Sequence, residues 1–99
     1  MPLAIRWSYF TKTNVSRETN HYGVYELGNS DDILYIGEGR VYTRLMAHFS
    51  DGSDPVVGAS LYRVEYTGGK DKAVQRQNAE LSAYKRKHGK YPRFNRRKG

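Results

Sequence analysis

Two tyrosines, Tyr25 and Tyr35, stand in "HYGVYELGNSDDILYIGEGR", residues 21–40, each two residues from a glycine, Gly23 and Gly37. Arg40, Arg44 and His48 then fall at i, i+4 and i+8 in "RVYTRLMAHF". On a helix that spacing forms one stripe. Beside it runs an apolar stripe of Val41, Leu45 and Phe49, so the cationic ends border the face that the helix turns to a core. Two phenols, two guanidiniums and an imidazole around a glycine-lined spot suit a phosphate. Each part alone has a plainer reading: paired tyrosines pack, a basic stripe is solvated, and a single histidine is a satisfied, half-buried side chain. The shared location is what points to phosphate chemistry.

The elements that must position these groups follow from hydrophobic period. "AIRWSYF" (residues 4–10) alternates Ile5, Trp7 and Tyr9 against polar neighbours and predicts a strand. "TKTNVSRETN" is polar and predicts a loop. "YGVYEL" and "ILYIG" flank the turn-rich "GNSDD", which predicts a hairpin. If it closes symmetrically about Ser30, Leu27 faces Ile33, Tyr25 faces Tyr35 and Gly23 faces Gly37. Opposed residues have Cβ atoms about 4.5–5.5 Å apart, and glycines in a strand admit close approach of a ligand or backbone. A short amphipathic helix, a long loop over residues 50–60 and a strand at "LYRVEYT" come next. Asp71 is the expected cap of a helix that runs to about His88 and buries Ala73, Val74, Gln77, Leu81 and Tyr84. Gly89 and Pro92 stop it. This order predicts an α+β fold: a small three-stranded antiparallel sheet flanked by helices, with an extra N-terminal strand as a further option. The 99 residues make one domain, with its core at about 21–95 and a basic segment at 85–99.

In sequence, "GVY" (Gly23–Tyr25), "YIG" (Tyr35–Gly37), Arg44, His48, Glu80 and Asn95 resemble the GIY-YIG nuclease domain. The first motif carries Val24 where that family has isoleucine. The resemblance implies hydrolysis of a DNA phosphodiester with one divalent metal, Mg2+ or Mn2+. It implies that Tyr25 takes the proton of the attacking water, that Tyr35 orders water and phosphate, and that Arg44 contacts the scissile phosphate. His48 would receive the proton of Tyr25, Glu80 would be the single carboxylate ligand of the metal, and Asn95 would support the site. Gly23 and Gly37 complete the motifs, and Arg40 is the rival to Arg44 for the phosphate.

The chemistry is consistent with that role. A free tyrosine has a pKa near ~10, and an adjacent guanidinium or metal lowers it by roughly 1–3 units. Arg44, Arg40 and a metal are therefore expected to activate Tyr25. Glu80 lies at the edge of the buried helix stripe, where a carboxylate needs a partner. That partner is either a cation or a salt bridge to Arg76 or Arg40. One carboxylate with waters suits Mg2+, while His21, His48 and His88 show no zinc spacing.

The charge supports a polyanion partner. Seventeen Lys and Arg against ten Asp and Glu give +7. The excess lies beyond residue 50, chiefly in Lys85, Arg86, Lys87, Lys90, Arg93, Arg96, Arg97 and Lys98, with no acid among residues 85–99. Such a tail is either a solvated end or a nucleic-acid surface, DNA by the resemblance. No apolar run approaches the roughly 20 residues of a membrane helix. The absence of cysteine and of a signal pattern predicts a cytoplasmic or nucleoid-associated, non-secreted protein with no membrane partner. Two alternatives to a free-standing endonuclease are a non-catalytic binding module of the same fold and the catalytic part of a larger DNA-processing assembly.

Overall fold

The computed structural model describes residues 6–95. Its elements are β1 (Ser8–Tyr9), α1 (Lys12–Val15), β2 (Tyr22–Gly28), β3 (Ile33–Arg40), α2 (Val41–Ala47), β4 (Leu61–Tyr66) and α3 (Lys70–His88). The four strands form one antiparallel sheet in the order β1-β4-β2-β3. The α+β class is as expected, and the optional N-terminal strand is present. It is only two residues long, pairing Ser8 with Tyr62 and Tyr9 with Leu61. Ala4 and Ile5 lie outside the described residues. The polar stretch expected as a loop contains α1. Thr11 caps it by accepting the Asn14 N–H at 3.1 Å, and Val15 anchors it in the core.

Strand alternation splits the core between two faces of the sheet. Tyr25, Leu27, Tyr62 and Val64 join Val41 and Leu45 of α2, and Val15 of α1, on one face. Val24 and Ile36 meet Leu81 of α3 on the other. The α3 face departs from expectation. Ala73 and Leu81 are buried, but Val74, Gln77 and Tyr84 are only partly covered, and Glu80 is buried instead. Asp71 is not the cap: Gly69 is the N-cap residue, and Asp71 sits in the first turn, where its charge complements the helix dipole. Gly89 ends α3 in the left-handed conformation, φ 81°, with its N–H on Lys85 O at 2.7 Å.

The hairpin register also differs. Tyr25 lies opposite Gly37, Leu27 opposite Tyr35 and Gly23 opposite Gly39, two residues away from symmetric closure about Ser30. Asn29 sets this turn. Its side chain accepts the N–H groups of Asp31 and Asp32 at 2.8 and 2.9 Å, and its own N–H donates to Asp32 O at 3.0 Å. A register irregularity between Leu27 and Gly28 absorbs the odd residue. Because the displacement is even, Tyr25 and Tyr35 still share one face.

β3 is the edge strand, and the chain's C-terminal segment closes part of it. Phe94 N–H donates to Leu34 O at 2.9 Å. The Asn95 amide pairs with both main-chain groups of Ile36, accepting from N–H at 2.8 Å and donating to O at 2.9 Å. A side chain thus takes the place of a neighbouring strand.

Candidate functional site

The register explains Gly37. The Tyr25 ring folds across it, and a Cβ there would stand 2.5 Å from Tyr25 Oη and 2.6 Å from Tyr35 Cε2. The two rings lie diagonally, 6.2 Å between centroids, with His48 packed on both at 5.5 Å from Tyr25 and 4.9 Å from Tyr35. His48 is the C-cap residue of α2, one turn beyond Arg44. Apolar Val41 and Leu45 press the helix onto the sheet, and this carries His48 into the core, where it is buried.

Tyr25 Oη is 2.8 Å from His48 Nε2. The other ring nitrogen, Nδ1, is 2.8 Å from the main-chain oxygen of Asp54. A carbonyl oxygen only accepts, so Nδ1 carries the hydrogen and Nε2 accepts from the Tyr25 hydroxyl. Arg44 is placed to engage both phenols. It also reaches Asp54 Oδ2 at 3.5 Å and remains partly open to solvent.

These surroundings work against the expected activation of Tyr25. Burial holds its phenol well above the ordinary range, and the Tyr35 phenol adds to this; Arg44 pulls the other way and loses. Tyr35 is raised as well, first by burial and again against Arg44. Burial lowers the pKa of His48, and the Asp54 carbonyl only partly opposes it. At neutral pH the site is therefore two neutral phenols, a neutral imidazole and one guanidinium. Tyr25 has no exposed surface, whereas Tyr35 is only partly buried.

Tyr25, Tyr35, Arg44 and His48 are thus brought together. Arg40 is not among them. It precedes α2 as the N-cap residue, its guanidinium lies 4.8 Å from the Tyr22 ring centroid, and it donates to Asn20 O at 3.3 Å. Glu80 is also apart, on the face of the sheet opposite the phenols. Arg76 Nη1 donates to its Oε2 at 2.5 Å, and the same guanidinium holds Glu65 at 3.1 and 3.2 Å. Glu26 of β2 interacts with Glu80 there. Its Oε1 accepts from Arg63 Nε at 2.7 Å, while its Oε2 is buried without a hydrogen-bond partner. Burial pushes the Glu26 carboxyl up; Arg63 opposes this and Glu80 reinforces it. Glu80 also lines a groove with Ile33, Ile36, Tyr84 and Lys87.

Among the basic residues, Lys85, Arg86, Lys87, Lys90 and Arg93 are exposed. Lys85, Lys90 and Arg93 line a second groove with Tyr91 and Asp32. Arg96, Arg97 and Lys98 lie outside the described residues. Sequence reasoning missed Asp54 and the Glu26 partner of Glu80. Asp54 reaches His48 through its main chain, which residue type does not reveal, and Glu26 reads as an ordinary polar position of a strand.

Fold and site together define a small α+β domain with a buried tyrosine–histidine pair and an arginine at its open side. The chain belongs to the family described as domain of unknown function DUF7508, whose family model matches residues 1–87. Tyr25, Tyr35, Arg44, His48 and Glu80 fall inside that stretch and Asn95 beyond it. No curated protein and no solved structure matches the chain. Among the described residues no helix is long and apolar enough to cross a membrane.

Proposed function

We propose that this protein is a GIY-YIG-type endonuclease that hydrolyses phosphodiester bonds in DNA. The observation that carries the reading is the chain of contacts from Tyr25 Oη to His48 Nε2 and from His48 Nδ1 to Asp54 O, with Arg44 against the phenols. Arg44 binds the non-bridging oxygens of the scissile phosphate and neutralises the charge that grows there. Drawing Arg44 toward the phosphate opens the phenols to water. Because Tyr25 is held neutral, it works as a relay. Its proton passes to His48 Nε2 as it takes one from the attacking water, so no free phenolate accumulates. Tyr35, the less buried phenol, orders the water and the phosphate.

The metal implied by this reading is Mg2+ or Mn2+. Among the described residues no group of three or more His, Asp or Glu is placed to hold a metal, but the reading needs only one carboxylate. Glu80 supplies a hard oxygen donor beside an open groove, next to the unpartnered Oε2 of Glu26, and this donor chemistry fits such an ion. Glu80 would hold it, and such an ion would supply positive charge there; because Glu80 lies on the face of the sheet opposite Tyr25 and Arg44, no step at the phosphate held by Arg44 is routed through it. Lys85, Arg86, Lys87, Lys90 and Arg93, with Arg96, Arg97 and Lys98, position the DNA backbone without reading bases.

The test is purified protein with branched, single- and double-stranded DNA in Mg2+, beside a chelator control and Arg44→Ala. Cleavage that needs both the metal and Arg44 supports the reading. No cleavage of any substrate, or full activity in chelator, refutes it. A second reading, a binding module without turnover, is favoured by the complete burial of Tyr25 and the pairing of Glu80 with Arg76. It expects salt-sensitive DNA binding with no cleavage and no response to metal.

A further inference from the structure

The segment between α2 and β4 carries no motif, yet main-chain bonds fasten it to the end of α2. Asp54 N–H donates to Ala47 O at 2.9 Å, and Val56 N–H donates to His48 O at 3.0 Å. Between these two anchors the Asp54 carbonyl oxygen stands 2.8 Å from His48 Nδ1. The carboxylate of the same residue turns back to Arg44 Nη2 at 3.5 Å and lies 3.8 Å from His48 Nδ1. One loop residue therefore touches both His48 and Arg44, each through a different group.

We infer that Asp54 is a positioning residue: its main-chain carbonyl fixes which nitrogen of His48 carries the hydrogen, and its carboxylate holds Arg44 beside the phenols until an anionic ligand takes the guanidinium. With Nδ1–H committed to the carbonyl, Nε2 is left as an acceptor facing Tyr25 Oη. In the opposite tautomer a lone pair on Nδ1 would face the carbonyl lone pairs, and His48 has no exposed side-chain surface through which water could repair the mismatch. The carboxylate is different in kind. It is 57% exposed, so its pairing with Arg44 is weak and exchangeable. A phosphate binds a guanidinium more strongly, through charge-assisted bonds, and displaces it.

The groups that face His48 are Tyr25 from β2, Tyr35 from β3, Arg44 from α2 and Asp54 from the loop. Of these, only Asp54 raises the proton affinity of the imidazole; burial and Arg44 lower it. The two roles of Asp54 can therefore be separated by substitution. Asp54→Asn keeps the carbonyl and removes the charge. Asp54→Pro removes the N–H that anchors the loop to Ala47 and so releases the carbonyl.

The role in tautomer selection stands on geometry alone; the identity of the anion rests on the endonuclease reading. The experiment is 15N NMR of the histidine rings across pH. In the parent, His48 is expected as a neutral ring with hydrogen on Nδ1. Asp54→Asn should keep that tautomer and lower the titration midpoint of His48. Asp54→Pro should give a mixture of tautomers. Hydrogen on Nε2 in the parent overturns the inference, as does an unchanged tautomer in Asp54→Pro. If Asp54→Pro does not fold, Asp54→Asn decides, because it keeps the carbonyl, and loss of the Nδ1–H tautomer there overturns the inference. On DNA that the parent cuts, Asp54→Pro should lower kcat on the order of 10-fold or more with KM little changed. A parent that cuts no DNA refutes the endonuclease reading and leaves the NMR result on Asp54 standing.

Discussion

Replacing Tyr25 by Phe removes one hydroxyl and almost no volume from a fully buried contact. Tyr25 is 0% exposed and His48 1%, so water cannot replace the lost partner. His48 Nε2, now 2.8 Å from its partner, becomes a buried acceptor with nothing to accept. The cost of such an orphaned group is about 1–3 kcal/mol. For a domain of this size each kcal/mol moves Tm by roughly 4–8 °C, so a fall of roughly 4–24 °C is expected. No charge is lost, because burial already keeps the phenol neutral at working pH. Urea denaturation at pH 8, where His48 is neutral in both folded and unfolded chains, measures the change. A double-mutant cycle with His48→Phe isolates the pair; coupling of about 0.5–3 kcal/mol is the scale for groups in direct contact. Single-turnover cleavage of DNA should fall on the order of 10²-fold or more. A Tyr25→Phe protein with parental stability and no coupling to His48 refutes the hydrogen bond. One that cuts at the parental rate refutes the relay.

Three other outcomes separate the parts of the site. Gly37→Ala puts a methyl group 2.5 Å from Tyr25 Oη and should cost about 1–3 kcal/mol in denaturation experiments while pulling the hydroxyl off His48. Arg44→Ala should lower turnover by roughly 10²-fold or more, whereas Arg40→Ala, whose guanidinium stacks on Tyr22, should leave it near parental; the reverse result would move the phosphate contact to Arg40. The folded-state pKa of His48 is below its ordinary 6.5, so the unfolded chain binds the proton first and this contribution to stability is lost as pH falls through 6.5. The loss between pH 7 and pH 5.5 should be smaller in His48→Asn, and an equal loss in both proteins would refute the burial of a neutral imidazole.

The parts of this fold that were legible in the sequence are those with a repeated period. β4 alternates, β2 and β3 are β-branched and aromatic runs around a turn, and Val41 and Leu45 mark the buried side of α2. Elements with a single anchor were not legible. α1 has one buried apolar residue, Val15, and a threonine cap, too little for any periodicity. The hairpin register depended on the Asn29 side chain closing the turn, which residue spacing does not reveal. The site survived that error because the displacement was even, and an odd displacement would have put Tyr25 and Tyr35 on opposite faces. Arg44 and His48 were readable as a helical stripe, but Arg40 was not separable from them, because its exclusion comes from the helix starting one residue later. The sign of the Tyr25 perturbation was also hidden. Charge neighbours can be read from spacing, but the depth of burial that outweighs them cannot.

The α3 face shows why Glu80 admitted two readings. The spacing from Arg76 to Glu80 is i,i+4, and the ion pair it allows is present. Yet that guanidinium is shared with Glu65, and Arg63 covers only one oxygen of Glu26. Among the described residues three carboxylates thus meet two guanidiniums, and the two most buried carboxylates, Glu26 and Glu80, are near enough for each charge to oppose the other. Ion pairs at such depth gain little over an apolar core, but removing one partner is costly because it strands a charge. The raised Glu26 carboxyl is consistent with a proton meeting this deficit. Arg76 already has Glu65 of β4, the more exposed carboxylate, as a second partner, so it can give up Glu80 without becoming unpaired. A lone lysine at position 76 would have no comparable fork with which to hold both carboxylates.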